Sequence, residues 1–408
     1  MVREAPRCPA TDGCLKGATQ MSSTEHGEWY VAGAYPELRA QPPWVMEEMI
    51  AAQTTLPGRL AEVEQAAPQV AEALRDAVER GVPVVVTGMG TAGHAARATA
   101  QILNDAISES TDTAGIVEFR DASEQSALPR RGGLCLAISH GGMSKSTVAA
   151  LRAADASGAR TAVITASPGT PAARAAQTVL CTPIQDASYC HTVGYLSPML
   201  GAMCIASSYR GESFPVAGVA AYLKSLDEIA SAATRMGAAL HGVRQVIAAG
   251  SLHDAVSARE LSLKISEGAR LPTCALGVED VLHGYLAGHD DDSALVVFAT
   301  SGPGDDSCVR TAGNLLRASQ RIGLRAGAIV SERLSGAIEQ STVSAGSVVL
   351  PGADLPQCWA SLLGSALALQ YVTVGLVRAR QVNPDLIRRE EQPYREAIPL
   401  GDTKVSRG

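Results

Sequence analysis

This sequence is short of lysine and of the large aromatic residues. Five lysines (Lys16, Lys145, Lys224, Lys264 and Lys404) stand among 34 basic residues, and the 408 positions include only 3 phenylalanines and 3 tryptophans. Acidic residues number 41, which leaves a net charge of -7. A mildly acidic chain with few rings lacks the basic, stacking surface on which nucleic-acid binding depends. Long hydrophobic runs are missing as well: none approaches the ~20 residues that span a bilayer, so no membrane segment is expected. The opening stretch, Met1 to Gln20, has no apolar core of the kind a signal peptide needs and reads as a disordered leader, with Met21 as an alternative start. The nine cysteines include no C-x-x-C pair, and several sit in apolar runs such as Gly-Leu-Cys135-Leu-Ala. That pattern suggests reduced core thiols in a cytoplasmic protein, not a disulfide framework or a zinc site.

What the chain has in quantity is aliphatic residues: 46% of it is hydrophobic, enough for a sizeable core. Helical spacing of Met46, Met49, Ile50, Leu60, Val63, Val70 and Leu74 predicts helix over 43–80. Beyond it, short apolar runs alternate with helical stretches. Runs at 83–87, 133–138, 160–165 and 178–181 read as strands, each followed by a helix. Strands that are apolar throughout, with helices between them, indicate a parallel sheet covered on both faces. The order repeats with strands at 246–250, 294–300, 325–331 and 346–350, and a long helix closes it at about 355–380.

Two segments match by eye across the repeat. Val-Val-Val-Thr-Gly88 parallels Val-Ile-Ala-Ala-Gly250, and the run ending at Ile164 parallels the run ending at Ile329. A period of about 165 residues is too long for a solenoid and means duplication of a whole domain. The fold class is therefore α/β, as two tandem doubly wound, flavodoxin-like domains, each a mainly parallel sheet with helices on both faces. The expected organisation is a leader and entry segment (1–42), domain 1 (43–212), domain 2 (213–395) and a tail (396–408).

In such sheets ligands bind outside the carboxyl ends of the strands. Two strand-to-helix loops of the first half are rich in small and hydroxyl residues, Thr87 to His94 and Ser139-His140-Gly141-Gly142-Met143-Ser144-Lys145-Ser146-Thr147. Small residues let backbone come close, and a following helix N-terminus offers unpaired N–H groups to an anion. With Lys145 and His140 in the second loop, phosphate is the economical ligand. Gly88, Gly90 and Gly93 also fit G-x-G-x-x-G, a weak signal here because the acidic residue a dinucleotide site needs ~20 residues later, at a strand end, is not obvious. The counterpart loop of the second half, Ser301 to Asp306, is acidic and would repel phosphate, so one phosphate site per chain is expected.

In the second half, Glu260, Lys264 and Glu267 recur at i, i+4 and i+7, on one helix face. The spacing alone suits a solvated ion-pair stripe, whereas the apolar neighbours Leu261, Leu263 and Ile265 suit a covered helix. Glu279, Asp280 and His283 follow after a Pro- and Gly-containing connection. No metal-ligand cluster is visible.

The duplication, the Ser139–Thr147 loop and the Glu260–Glu267 and Glu279–Gly284 segments together resemble the SIS (sugar isomerase) family over roughly residues 43–395. That family includes the isomerase half of glucosamine-6-phosphate synthase and stand-alone sugar-phosphate isomerases, deaminases and deglycases. The resemblance implies phosphate binding by Ser139, His140, Gly141, Ser144 and Thr147, with Gly90 and Thr91 from the earlier loop. His191 and Thr192 fall on a further substrate-binding segment. Glu260, Lys264, Glu267, Asp280 and His283 fall on the second-domain pattern without a gap. The family implies Glu267 as base, Lys264 polarising the reacting oxygen or shuttling protons, and His283 reaching into the neighbouring subunit's site of a homodimer to help open the sugar ring.

The expected function is a cofactor-free, metal-free aldose–ketose isomerase of a phosphorylated sugar or amino sugar. The alternatives are an amino-sugar-phosphate deaminase or deglycase, or a non-catalytic sugar-phosphate sensor. The pattern departs from the family at several points. Gly141 and Met143 replace a serine and a glutamate of the phosphate loop. His191-Thr192-Val193 replaces Ser-Thr-Lys. The tail from Asn383 to Tyr394 has no lysine, and the 42 residues before the first helix are too few for a glutaminase domain.

Overall fold

Most strands of this protein are runs of Val, Ile, Leu and Ala that need no polar alternation, because both faces of their sheet are covered. In the computed structural model, which describes residues 30–400 except 34, 112–114 and 302–306, they build two five-stranded sheets. Most of the expected leader, most of the acidic loop after Ser301 and the last residues of the tail lie outside the described residues.

The first sheet holds β1 (Val84–Gly88), β2 (Val117–Asp121), β3 (Leu134–Ile138), β4 (Arg160–Thr165) and β5 (Thr178–Cys181), in the order β2-β1-β3-β4-β5. All its pairings are parallel. Its helices are α1 (Val45–Ala52), α2 (Ala61–Glu79), α3 (Thr91–Ser110), α4 (Ala122–Ala127), α5 (Lys145–Ala156), α6 (Pro171–Ala175) and α7 (Val193–Arg210). The second sheet holds β6 (Gln245–Ala249), β7 (Thr273–Leu276), β8 (Ser293–Ala299), β9 (Arg325–Ser331) and β10 (Gly346–Leu350), in the order β7-β6-β8-β9-β10 and again parallel throughout. Around it are α8 (Val216–Ser225), α9 (Ala230–Ala239), α10 (Asp254–Lys264), α11 (Val278–Leu282), α12 (Ser307–Ile322), α13 (Gln357–Arg380) and α14 (Gln392–Leu400). Both sheets have the 2-1-3-4-5 order of flavodoxin-like folds. The two tandem α/β units expected from the sequence are present.

Three local readings change. The helix expected over 43–80 is broken, since Pro57 has no amide N–H to continue it. Two 3-10 turns (Gln53–Thr55 and Pro57–Arg59) separate α1 from α2. β2 and β7 do not stand out in the sequence. Both lie at sheet edges, β2 carries Glu118 and Arg120, and every residue of β7 is half-buried. The third change concerns α13. Although no unbroken apolar run marks it, one 18-residue window has a mean hydropathy of 1.6, apolar enough to cross a membrane, yet 89% of that window is buried inside the fold. It is a core helix.

The matched ends of β1 and β6 have one steric cause. A side chain at Gly88 would meet the Ala92 carbonyl oxygen at 2.6 Å, and one at Gly250 would meet that of Asp254 at 2.5 Å. In each copy the first helix turns back directly over the strand end. The largest apolar cluster is shared by both halves, running through α2, α3 and α7 into α8, α9, α10 and α13. A second cluster covers the other face of the second sheet with α11 and α12, and a smaller one covers the first sheet with α5 and α6.

Helices α9 and α13 cross at two glycines. A Cβ at Gly237 would lie 1.9 Å from the Val372 carbonyl oxygen, and one at Gly375 would lie 2.0 Å from that of Thr234. Backbone cannot yield as a side chain can, so Gly375→Ala should cost about 3 kcal/mol, the upper part of the usual range for overpacking. Urea unfolding should show a lower midpoint with an unchanged slope. An unchanged midpoint would mean that the two helices separate freely.

Candidate active site

The two central strands of the first sheet, β1 and β3, feed helices on either side of the point where strand order reverses, and the crevice there is the expected place for a ligand. Gly90, the cap of α3, has φ 58° and ψ -133°, a conformation that essentially needs glycine. It sets Thr91 as the first residue of α3. In the loop after β3, Gly142 has φ 64°, and a Cβ there would overlap the Thr170 hydroxyl at 1.8 Å. Ser144 caps α5: its Oγ accepts the Thr147 N–H at 3.3 Å and the Thr147 hydroxyl at 3.0 Å. The loop is thereby folded tightly against α5, whose N-terminal N–H groups open toward the same crevice. Gly141 is half-buried, with nothing within 4 Å of a built Cβ. Ser139 is buried, and its N–H is spent on the Ile164 carbonyl.

His140 has a different setting from its loop neighbours. It is buried, and its Nε2 accepts the Asp186 N–H at 2.8 Å, which leaves the ring proton on Nδ1. The ring lies 5.2 Å from that of His191. Burial and the neighbouring His191 press the His140 pKa down to about 4, against the pull of Asp186. Asp186, which the sequence reading passed over, organises this loop. Its carboxylate accepts the N–H groups of Ser188, Thr192 and Gly194 at 3.1, 2.6 and 3.1 Å. Thr192 is buried beneath it, its carbonyl accepting the Gln370 side-chain amide. Its only signal in the sequence is an acidic residue shortly after a strand.

The second half brings its charged stripe to this crevice. At Ile265 the regular α10 widens into a π-helical turn, Ile265–Ala269, which ends at Arg270 in the left-handed region, φ 56°. Such turns concentrate at functional sites. Lys264 is fully buried, and its Nζ donates to Glu267 Oε2 at 2.6 Å and to Thr91 Oγ1 at 3.0 Å, with Glu260 Oε1 at 3.5 Å. Glu260, also fully buried, holds His94 Nδ1 at 2.7 Å. The stripe is thus a covered network, not a solvated one, and it joins α10 to the first turn of α3. Of the two carboxylates on Lys264, Glu267 is the one that keeps an open side, with 23% of its side chain exposed. Burial raises its pKa above the ordinary carboxylate value, with Lys264 pulling the other way. Burial would lower the Lys264 pKa, but Glu267 and Glu260 outweigh it and hold it above the usual lysine range.

The segment 383–391 closes over this network. Asp385 accepts the Val45 and Met46 N–H groups at 2.9 and 2.8 Å, tying the segment to α1. Arg270 pairs with Glu390 and Glu391. Arg389 lies over the Tyr189 ring at 4.5 Å, and its charge is felt at Glu267. Arg389 is a cation at the site that lysine-based matching missed. His283 is not brought to this network within the chain. It ends α11, is 79% exposed, and pairs with Glu279 at 3.3 Å. Asp280 lies in the first turn of the same short helix.

The matching crevice of the second half is already filled. The fully buried Asp254 carboxylate accepts the N–H groups of Thr300 and Ser301 at 2.9 and 3.2 Å, and the Thr300 hydroxyl. Four residues after Gly88, the equivalent position of the first half is Ala92, which has no such group.

Residues 82–203 match the family model of the SIS domain. In fold the chain is similar to the C-terminal domain of glucosamine-fructose-6-phosphate aminotransferase from Francisella tularensis (16% identity, TM-score 0.67, covering 85% of this chain and 99% of that one). It is similar to tagatose-6-phosphate ketose/aldose isomerase from Escherichia coli (18%, 0.67, covering 86% and 97%). It is also similar to glucosamine-6-phosphate deaminase from Thermotoga maritima (15%, 0.58, covering 84% and 96%). Identities this low speak for the fold alone. No curated protein sequence matches the chain.

His140 gives this site a pH signature. The unfolded imidazole takes up a proton near its usual value of about 6.5, whereas the folded one does so only near 4. Acidification through that window therefore favours the unfolded chain. Between about pH 7 and about pH 4, wild type should lose roughly 3 kcal/mol more stability than His140→Gln. Parallel pH profiles for the two proteins would show that His140 titrates normally.

Proposed function

We propose that the chain is an aldose–ketose isomerase of a phosphorylated sugar or amino sugar, working through an enediolate with Glu267 as its base. The observation that carries this reading is the Lys264–Glu267 pair, 2.6 Å apart and bonded through Lys264 to Thr91 at the mouth of the first sheet. A proton-moving group thus lies beside a loop suited to an anion. The similarity of the first half to the SIS domain, and of the fold to proteins named for sugar phosphates, supports the substrate class.

The chemistry asks little more. Glu267 takes the proton from the carbon beside the carbonyl of the open-chain sugar, and the electron pair left behind forms the enediolate. The hydroxyl proton passes between the two oxygens, and Glu267 returns its proton to the neighbouring carbon. A carboxyl whose pKa burial has raised is better matched to this shuttle than an exposed one. The Lys264 ammonium supplies positive charge near the developing oxyanion. Phosphate on the Gly90–Thr91 and Ser139–Thr147 loops would orient the reacting carbons from a distance. Arg389 adds a further cation whose charge is felt at Glu267. In this reading the site is completed by His283 of a second copy, which accounts for that histidine standing exposed and away from its own chain's network.

Proton NMR of a panel of sugar and amino-sugar phosphates in deuterated water tests the proposal. Wild type should exchange hydrogen at C1 or C2 of one member. Glu267→Gln should lose that exchange by roughly a hundredfold or more while still binding the same compound by calorimetry. Ammonia released with exchange would reassign the chain to deaminase chemistry, and binding without exchange would make it a sensor.

Mixing Glu267→Gln with His283→Ala tests the shared site separately. Random exchange of two-fold dimers should restore about a quarter of wild-type activity, because half the dimers then carry one intact site. No recovery after proven subunit exchange would remove His283 from the site.

A further inference from the structure

Helices α3 and α10 run antiparallel across the boundary between the two halves, and both ends of the pair carry polar contacts. One end is the His94–Glu260 contact of the site described above. The other end has no part in that site. There Asp105 of α3 faces His253, the residue that caps α10, with Oδ2 and Nε2 3.5 Å apart. Cys358, the second residue of α13, joins them from below. One ligand atom from each of the three residues lies within 4.8 Å of the other two, and among the described residues no other group of this kind occurs. Eleven positions on α3 separate Asp105 from His94, about 16 Å at the helical rise.

The three groups differ in chemistry, which sets this cluster apart from an acidic patch. A carboxylate, an imidazole and a thiol converging from three helices form the mixed oxygen, nitrogen and sulfur set that suits Zn(II) better than a hard cation such as magnesium or calcium. The charges balance as well. One carboxylate and one thiolate match a divalent ion, and the nearby Arg210 guanidinium is engaged by Glu109. Cys358 is buried, while Asp105 and His253 keep 35% and 24% of their side chains exposed, so an ion could enter from solvent. The backbone before His253 is held in an uncommon state. Leu252 is a non-glycine residue at φ 52°, and its carbonyl accepts the Gln101 side-chain amide from α3 at 3.2 Å. That contact fixes the approach of the His253 loop to Asp105.

We propose that Asp105, His253 and Cys358 bind one zinc ion per chain, with the fourth position left to water, and that the ion ties α3 of the first half to α10 and α13 of the second. Binding replaces the thiol proton of Cys358 by the metal and releases that proton to solvent; no electron is transferred. The sequence gives no hint of the site, since its ligands are separated by 148 and 105 positions and come together only through the packing of the two halves.

The test uses the full-length chain, stripped with chelator and then titrated with zinc or, as a spectroscopic probe, cobalt(II). Wild type should take up one equivalent by elemental analysis, show thiolate-to-cobalt charge-transfer absorption in the near ultraviolet, and melt at a temperature that rises with free zinc. Cys358→Ser should lose the charge-transfer band. His253→Gln, at a partly exposed position, should keep the melting temperature of the metal-free protein and bind zinc roughly tenfold or more weakly. A band that persists in Cys358→Ser, a wild type without a band, or a His253→Gln variant with wild-type affinity would each overturn the proposal.

Discussion

A buried lysine sets the terms for the rest of this molecule. Taking one ammonium out of water costs several kcal/mol even after relaxation, and Lys264 has no exposed surface at all. The fold answers with two carboxylates and a hydroxyl, and these come from both halves: Glu260 and Glu267 from the second, Thr91 from the first. Neither half could bury this side chain alone. The glycines at the end of β1 let α3 begin where Thr91 can reach Lys264, and His94 occupies the remaining Glu260 oxygen. Once that charge is satisfied, Glu267 is left half-covered beside it, which is the state a proton-transfer group needs.

Duplication explains why two similar units can do different things. Each has the same strand order and the same crowded glycine at the end of its first strand. In the first unit the crevice between the central strands is lined by hydroxyls, glycines and helix ends. In the second, Asp254 turns its carboxylate onto the donors of Thr300 and Ser301, so the anion there belongs to the chain itself. One unit leaves its crevice without a carboxylate of its own, and the other contributes charged side chains from the helix after its first strand. The shared apolar cluster holds the two in register.

Much of this was legible in the sequence, for reasons that differ by element. The central strands β1, β3, β6 and β8 declare themselves because both of their faces are buried. β2 and β7, at the edges, mix polar and half-buried positions and do not. Glu260, Lys264 and Glu267 could be placed on one helix by spacing, but spacing does not reveal burial, nor that the helix widens just before Glu267. Asp385 acts by capping backbone far away in sequence, the N–H groups of Val45 and Met46, and Asp186 by gathering the N–H groups of its own irregular loop; no periodic pattern announces either contact. Arg389 escaped because its likeness to a binding residue lies in its position, over Tyr189 and near Glu267, and not in its residue type.

The π turn at Ile265–Ala269 has a consequence for how such a site can be gained or lost. A π turn holds one residue more than the α turn it replaces, which in a gene is a single codon. Removing one residue there would let α10 continue as an ordinary helix, and everything after it would rotate. Lys264 would stay where it is, buried with Glu260. Glu267 and the Arg270 anchor for the 383–391 segment would swing away together. The site could be dismantled with all of its named side chains still present, and a comparison that counted residues without counting the turn would not notice.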